Sequence, residues 1–226
     1  EVVRTAFIHG PSGVGKTELA TQAVHLLLAR LPKARVQQMT ASEFAAEFAE
    51  ASVNKTIPLF QSLTRQLDLL VLEDIHALEG RPETQSQLLS LINELLATEC
   101  RVIWTSHKSP GELTNFLPRL INRFRGGVLA AMRLPGPESR SKLIEHYVKM
   151  RSVSATPTAL RLLTSELAVS PRELFAALRR LAALARHDRA VLHRPHLRYS
   201  VDCGGRVCVG HVGAWRGGLV QRAGRS

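Results

Sequence analysis

The stretch that decides the fold is residues 6–30, "AFIHGPSGVGKTELATQAVHLLLAR". Its first four residues form an apolar run that predicts a short buried strand. Residues 17–30 place Ala20, Val24 and Leu27 at helical spacing, with Ala23 and Leu28 on the same face. Between the strand and the helix, "GPSGVGKT" matches the phosphate-loop pattern G-x-x-x-x-G-K-[ST]. The stretch therefore predicts a strand, a phosphate loop and a helix in that order.

The residue types of this loop suit a nucleotide. Its glycines let backbone N–H groups surround phosphate oxygens, and the helix that follows adds its dipole. In this pattern Lys16 reaches the β and γ phosphates and the Thr17 hydroxyl binds Mg²⁺. The alternative, an ordinary glycine-rich turn, does not explain a lysine and a threonine at these two places. The predicted nucleotide contacts are Gly10, Pro11, Ser12, Gly13, Val14, Gly15, Lys16, Thr17 and Glu18.

A second apolar run, "LDLLVLED" at residues 67–74, ends in two acids. Such a run predicts a central parallel strand, which places Glu73 and Asp74 at the carboxyl edge of the sheet beside the phosphate loop. One acid at this edge binds Mg²⁺ and the next orients the attacking water. We assign Glu73, with Thr17, to the metal and both acids to catalysis, the alternative being two solvated acids at a strand end.

Strands and helices alternate along the rest of the first 134 residues. Further strands are predicted at 34–40, 101–106 and within 127–134, and helices at 41–51 and 84–98. Alternation of this kind indicates an α/β fold, a parallel sheet with helices on both faces. The strand at 101–106 leads into Thr105, Ser106 and His107, which are candidates for the γ-phosphate or the attacking water.

A small helical domain is predicted at 135–190, after the α/β domain at 1–134. Two of its helices open at Thr156-Pro157 and Ser170-Pro171, and Ser170 with Glu173 fits a capping box. The remaining residues, 191–226, form a basic tail rich in glycine and arginine with no sustained period, and we expect it to be poorly ordered.

The composition favours a globular protein with an anionic partner. Net charge is +11 over 226 residues, which suits nucleic acid or nucleotides, although a GC-rich genome that prefers arginine is an alternative. Three cysteines make no disulfide framework, and neither a membrane span nor a signal peptide is evident, so we expect a cytoplasmic protein. His193, His196, Cys203 and Cys208 fit no standard zinc spacing.

The stretch "LPRLINRFRGG" at residues 117–127 carries three arginines without a local acid. Arg119 and Arg123 lie four residues apart, so on a helix they would share one face and repel each other. Their position favours an anion that another molecule supplies. Arg125 is open between a phosphate contact and a solvated surface residue.

The order of these motifs resembles the AAA+ ATPases. The phosphate loop, the acidic strand end, "VIWTSHKSPGEL", "RLINRF" and "SPRELFAAL" together resemble, more closely, the ATPase domain of the bacterial replication initiator family DnaA. The likeness covers about residues 5–187. It implies a parallel-sheet P-loop AAA+ domain with a helical lid, ATP and Mg²⁺ as ligands, and slow hydrolysis.

The resemblance also assigns residues. It implies that Arg123 is an arginine finger that reaches ATP on a neighbouring subunit, with Arg119 supporting it, and that Arg172 is a lid arginine that senses the nucleotide. A helical insertion at 41–67 would line a channel for single-stranded DNA. Lys55, Arg65 and Arg81 are the DNA-binding candidates.

The sequence departs from the family at several positions. Glu73 and His107 stand where aspartate is usual, and Glu83 stands where a basic residue is common. The family's segment before the first strand and its origin-reading helix-turn-helix domain are not evident, as expected of a fragment or of a chain altered by a frame change.

We interpret the chain as an ATPase module of an initiator that forms head-to-tail homo-oligomers on single-stranded and origin DNA. A helicase loader or initiator-regulating ATPase, and a nucleotide-binding scaffold without turnover, are the alternatives.

Overall fold

The computed structural model describes residues 4–151, 164, 169–187, 197–201 and 207–211. They divide into two compact units, with the boundary between Arg133 and Leu134. The division of the chain at 134 and 190 remains a prediction.

The first unit is built on a five-stranded parallel sheet with the strand order β2-β3-β4-β1-β5. The strands are β1 Thr5–His9, β2 Val36–Thr40, β3 Leu69–Glu73, β4 Arg101–Ser106 and β5 Val128–Ala131. Each strand that the sequence predicted is present. All four pairings are parallel, so every strand ends at the same edge of the sheet. The α/β fold class is confirmed.

Helices cover both faces of this sheet. The helices of this unit are α1 Lys16–Arg30, α2 Ala41–Val53, α3 Ile57–Thr64, α4 Pro82–Ala97 and α5 Pro118–Arg125, with a 3-10 helix at Ile75–Leu78. On one face Ala20 and Val24 of α1 pack against Leu69 and Val71. The alternate residues of β3 join the larger core under α2, α4 and α5 on the other face. α3 lies within the helical insertion that the resemblance implied at 41–67, whereas the 3-10 helix was not predicted.

All five residues of β3 are buried, Glu73 included. A strand that is covered on both faces reads as a continuous apolar run, which is why the sequence identified it. The parallel arrangement then places Glu73 directly opposite Thr40 in the register of β2 and β3. The core thus fixes where the acidic end of β3 lies.

The second unit contains α6 Pro137–Arg151, α7 Pro171–His187 and two short strands, β6 Leu197–Val201 and β7 Val207–His211. Ile144, Leu174 and Leu178 form its apolar cluster. The predicted capping box is present, because Ser170 N–H and Oγ–H both donate to Glu173 Oε2, at 2.9 and 2.8 Å. The helix predicted to open at Thr156-Pro157 lies outside the described residues.

The antiparallel pairing of β6 with β7 was not predicted, because residues 191–226 show no sustained hydrophobic period. The expectation of a poorly ordered tail at 191–226 remains a prediction. The remainder of the tail, with His193, His196 and Cys203, lies outside the described residues. Among the helices that the structure describes, none is long and apolar enough to cross a membrane.

Candidate functional site

The phosphate loop runs from the end of β1 to the start of α1 and lies at the carboxyl edge of the sheet. Gly10 N–H donates to Ser106 O at 3.2 Å, and Met132 N–H donates to His9 O at 2.7 Å. Gly10 has φ 148°, and a Cβ there would lie 2.1 Å from the Met132 carbonyl oxygen. Only glycine therefore permits the loop to start this close to the strand neighbour.

Lys16 is the first residue of α1 and is only 7% exposed. Its ammonium donates to Gly10 O at 2.8 Å and to Pro11 O at 2.9 Å. The lysine is thus folded over the loop that it is predicted to complete. The next residue but one, Glu18, is exposed and accepts a hydrogen bond from Gln22 Nε2 at 2.9 Å.

Thr17 and Glu73 meet beside this loop, as predicted for a metal-binding pair. The Thr17 hydroxyl donates to Glu73 Oε2. Gln38 Nε2, from β2, donates to Glu73 Oε1 at 2.8 Å and to Thr21 Oγ1 at 3.0 Å. Hydroxyl and carboxylate oxygens are ligands that Mg²⁺ accepts, usually with waters and substrate phosphates completing the shell. The donor set therefore fits this ion.

Asp74 has the left-handed conformation, with φ 54° and ψ 47°. Its N–H donates to Thr105 Oγ1 at 3.1 Å, while the residue itself is exposed. Ser106 Oγ accepts from Lys108 N–H at 3.1 Å. The buried hydroxyls of Thr105 and Ser106 thus shape the two neighbouring loops, and Asp74 is the acid that faces solvent.

His107, the third polar residue at this strand end, lies against His76. Their ring centroids are 3.7 Å apart at an interplanar angle of 67°. Burial lowers the pKa of His76, and the neighbouring His107 lowers it further, while the Asp74 carboxylate opposes both. Within the described part of the chain, no group of three or more His, Cys, Asp or Glu residues is arranged to hold a metal ion.

The three arginines of residues 117–127 lie on α5 and are all exposed. None of their guanidinium groups makes a hydrogen bond or an ion pair with another described residue. Arg123 and Arg125 are in the last turn, where a cation interacts favourably with the helix dipole, but Arg119 is near the start, where it does not. The buried side of the same helix consists of Leu120 and Phe124.

The remaining predicted residues are scattered. Arg172 is exposed near the start of α7, in the second unit. Lys55 is exposed on the turn between α2 and α3, and Arg81 is exposed just before α4. Arg65 Nε donates to Glu94 Oε2 at 2.8 Å. Their role in binding DNA stays a prediction.

Sequence reasoning missed two amides with defined partners, that of Gln38, which is exposed on β2, and that of Gln85, which is buried on α4. A polar residue at the end of β2 was a detectable sign of the first, since all parallel strands end at one edge. The second lies at a core position of α4, between polar neighbours that mask its burial. Its contacts depend on a loop conformation that no pattern in the sequence predicts.

Residues 2–131 match the family model described as the bacterial DnaA ATPase domain. The chain is 32% identical to the chromosomal replication initiator protein DnaA of Acinetobacter baylyi, over 80% of this chain and 39% of that protein. It therefore spans about two-fifths of the length of the curated relatives that it matches.

Solved structures are similar as well. Domain III of the Thermotoga maritima replication initiation protein DnaA superposes with a TM-score of 0.79 at 22% identity, covering 83% of this chain and 79% of that one. Replication initiator DnaA bound to AMPPCP and single-stranded DNA gives 0.73 at 28% identity, covering 82% and 59%. The AAA+ fold is thereby confirmed, and by its family match this chain belongs to the bacterial DnaA ATPase domain family.

Proposed function

We propose that this chain is the ATP-binding and slowly hydrolysing module of a replication initiator, which assembles head to tail on DNA in the cytoplasm. The observation that carries the proposal is the meeting of Lys16, Thr17 and Glu73 at the carboxyl edge of the sheet, beside a phosphate loop. A DnaA structure similar to this one holds an ATP analogue and single-stranded DNA, which supports both ligands.

ATP would bind with its phosphates on the loop at 10–17. Lys16 would exchange the Gly10 and Pro11 carbonyls for the β and γ phosphates, so the closed loop already holds the ammonium near its target. Thr17 and Glu73 would hold Mg²⁺, which neutralises charge on the phosphates. Asp74, exposed and fixed by its N–H bond to Thr105, would orient the attacking water.

Arg123 would complete this site on a neighbouring subunit. It is exposed and unpaired among the described residues, as a residue that contacts a second molecule must be. A contact of one face with a different face is heterologous and builds rings or open filaments. Arg119, one turn earlier, would support the same contact. Arg172 in the lid would sense the nucleotide within its own subunit.

DNA would be bound by cations of the first unit. Lys55 and Arg81 are exposed and available, whereas Arg65 would have to release Glu94 before contacting a phosphate. The net charge of +11 favours such contacts and predicts that they weaken with salt. The 32% identity to an initiator favours this role over that of a helicase loader.

The experiment is the variant Arg123→Ala, with Arg125→Ala as the matched control on the same helix. We expect Arg123→Ala to keep ATP affinity within about twofold, because its own loop is intact, and to lower turnover by roughly 10³-fold or more. ATP-dependent assembly, followed by light scattering, should also be lost. Normal turnover and assembly in this variant would refute the proposed finger.

A further inference from the structure

We infer that Gln85 is a positioning residue, which holds the arginine-bearing helix α5 at a fixed place relative to the loop that carries Asp74. The inference rests on the proposed function, because it assigns to Gln85 the presentation of Arg123 to a neighbouring subunit. Gln85 lies on α4 and is 1% exposed. It is not among the residues predicted to bind the nucleotide, the metal ion or DNA.

The amide of Gln85 joins two segments that are far apart in sequence. Its Nε2 donates to Leu78 O at 2.7 Å and to Asn115 O at 3.0 Å. Its Oε1 accepts from Leu117 N–H at 2.8 Å. Gly80 N–H adds a backbone bond to Asn115 O at 3.2 Å. One side chain thus ties the loop after β3 to the segment that enters α5.

Each end of this connection matters for the proposed chemistry. Leu78 is the last residue of the 3-10 helix that starts directly after Asp74. The position of Leu78 is therefore coupled to that of Asp74, the acid proposed for the subunit's own nucleotide site. Leu117 is the N-cap residue of α5, and no side chain caps that helix. Gln85 Oε1 therefore takes a hydrogen bond from the residue at which the direction of α5 is set.

The other end of α5 is fixed by packing. Phe124 is 1% exposed and lies 5.0 Å from Trp104 and 5.2 Å from Phe7, measured between ring centroids. A Cβ on Gly127 would lie 2.0 Å from Thr5 Oγ1, so the chain leaves the helix in close contact with β1. Leu120, which is 0% exposed, packs into the same core, and the hydrogen bond from Leu117 N–H to Gln85 fixes the chain where it enters the helix.

Glutamine suits this place because both amide protons and the carbonyl oxygen have partners. A buried polar group that loses its partner is costly, so losing the Gln85 amide leaves two carbonyl oxygens and one N–H without their hydrogen bonds. A displaced N-terminus would turn α5 and move Arg123, and an error of about 1 Å in a catalytic contact can cost about 10²-fold in rate. The Gln85 amide makes its hydrogen bonds to Leu78, Asn115 and Leu117 and none to the nucleotide loop at 10–17, so ATP affinity should be spared.

The test uses two variants of the whole chain. Gln85→Glu keeps the size and the acceptor but places a carboxylate against two carbonyl oxygens, and Gln85→Met removes the polar atoms at similar volume. We expect both to bind ATP within about threefold of the parent while turnover falls by about tenfold or more. The control Gln87→Glu, on the same helix and without a partner among the described residues, should leave turnover unchanged.

Mixing separates a positioning role from a merely structural one. Lys16→Ala subunits have an intact Arg123 but no working loop, so they can supply the finger to a Gln85 variant. We expect turnover to recover on mixing with Lys16→Ala and to stay low on mixing with Arg123→Ala, which lacks the finger. No recovery in the first mixture, or loss of ATP binding in both Gln85 variants, would overturn the inference.

This design also distinguishes the two proposals. If Arg123→Ala alone hydrolyses ATP normally, the proposed finger fails and the role of Gln85 fails with it. If Arg123→Ala is inactive but Lys16→Ala does not rescue the Gln85 variants, only the inference about Gln85 fails.

Discussion

The phosphate loop and the helix α5 lie in one compact unit and differ in how their charges are satisfied. Around the loop, Lys16 donates to two carbonyls and Glu73 accepts from Thr17 and Gln38. On α5, the three exposed arginines have no partner among the described residues. The charged groups around the phosphate loop thus have hydrogen-bond partners within the chain, whereas the cations on α5 have no anion beside them among the described residues.

This difference indicates what each region needs. The loop is preorganised, so a nucleotide has only to replace contacts that already exist. The arginines gain nothing from their own chain beyond a helix-dipole interaction that favours two of them. Their anion has to come from a second molecule, and the nucleotide held by another copy's loop is the anion that the proposed function provides.

The largest expected effect comes from the buried side of α5. Phe124→Ala should lower the free energy of unfolding by about 3–5 kcal/mol, because a buried aromatic ring is removed and a cavity is left. Arg125→Ala, on the exposed side of the same helix, should change it by less than about 0.5 kcal/mol. Urea unfolding measures both. Equal effects would mean that α5 is not divided into an anchoring side and a free side.

The second effect is on the loop. Lys16→Ala should weaken ATP binding by roughly 10²-fold, because two charge-assisted hydrogen bonds to the phosphates are lost. Lys33→Ala, an exposed lysine just after α1, is the control and should bind ATP normally. Isothermal titration calorimetry on the two variants decides the point, and unchanged affinity in Lys16→Ala would refute the loop assignment.

A smaller effect is expected from the amide that supports Glu73. Gln38→Leu leaves Glu73 Oε1 without its bond from β2, so the carboxylate is held less well. We expect the Mg²⁺ concentration for half-maximal turnover to rise about tenfold, as is usual for residues that orient a metal ligand. Gln37→Leu, one residue earlier and on the opposite face of the strand, should leave it unchanged. A magnesium titration of turnover compares them.

The smallest effect is on the pH dependence of stability, through a contact between the segment before α4 and the segment after β4. Glu79 binds the Thr114 hydroxyl and Lys108, at 2.9 Å for the ion pair. These contacts, that of Thr114 most of all, lower the pKa of Glu79 from 4.5 to about 2. A lowered pKa of a carboxyl contributes stability that is present above about pH 4.5 and lost as pH falls towards about 2.

Glu79→Gln should therefore flatten the fall in the urea midpoint between about pH 4.5 and 2, whereas Glu47→Gln, exposed on α2, should not. An identical acid dependence in all three proteins would show that the contact of Glu79 with Lys108 and Thr114 adds nothing.

The sequence predicted the phosphate loop far better than the contacts that hold the segments before α4 and before α5 together. The phosphate loop and β3 are short, local patterns, and both were confirmed in place, because burial on two faces and a fixed motif leave clear traces in sequence. Gln85 and Glu79 could not be predicted, since their partners lie about 30 residues away in loops of irregular conformation. Asn115 has the left-handed conformation. Asn115 and Leu117 bond to Gln85 only because of the conformation of the segment that precedes α5.

The role of the arginines was not predictable from spacing either. The repulsion between Arg119 and Arg123 suggested that an anion lies opposite them. Which anion this is depends on a second molecule, and the local sequence pattern of one chain does not identify that molecule. The family resemblance supplied the hypothesis of a finger. The structure adds that Arg123 is exposed and that α5 is anchored from both ends.

The most direct test mixes two inactive variants, Lys16→Ala and Arg123→Ala. The first binds ATP only weakly but carries the finger, and the second binds ATP normally but lacks the finger. If ATP on one subunit is completed by Arg123 of another, random pairing gives roughly a quarter of the contacts both parts, and turnover should recover to about that level. A mixture that stays as inactive as its two components would contradict the account.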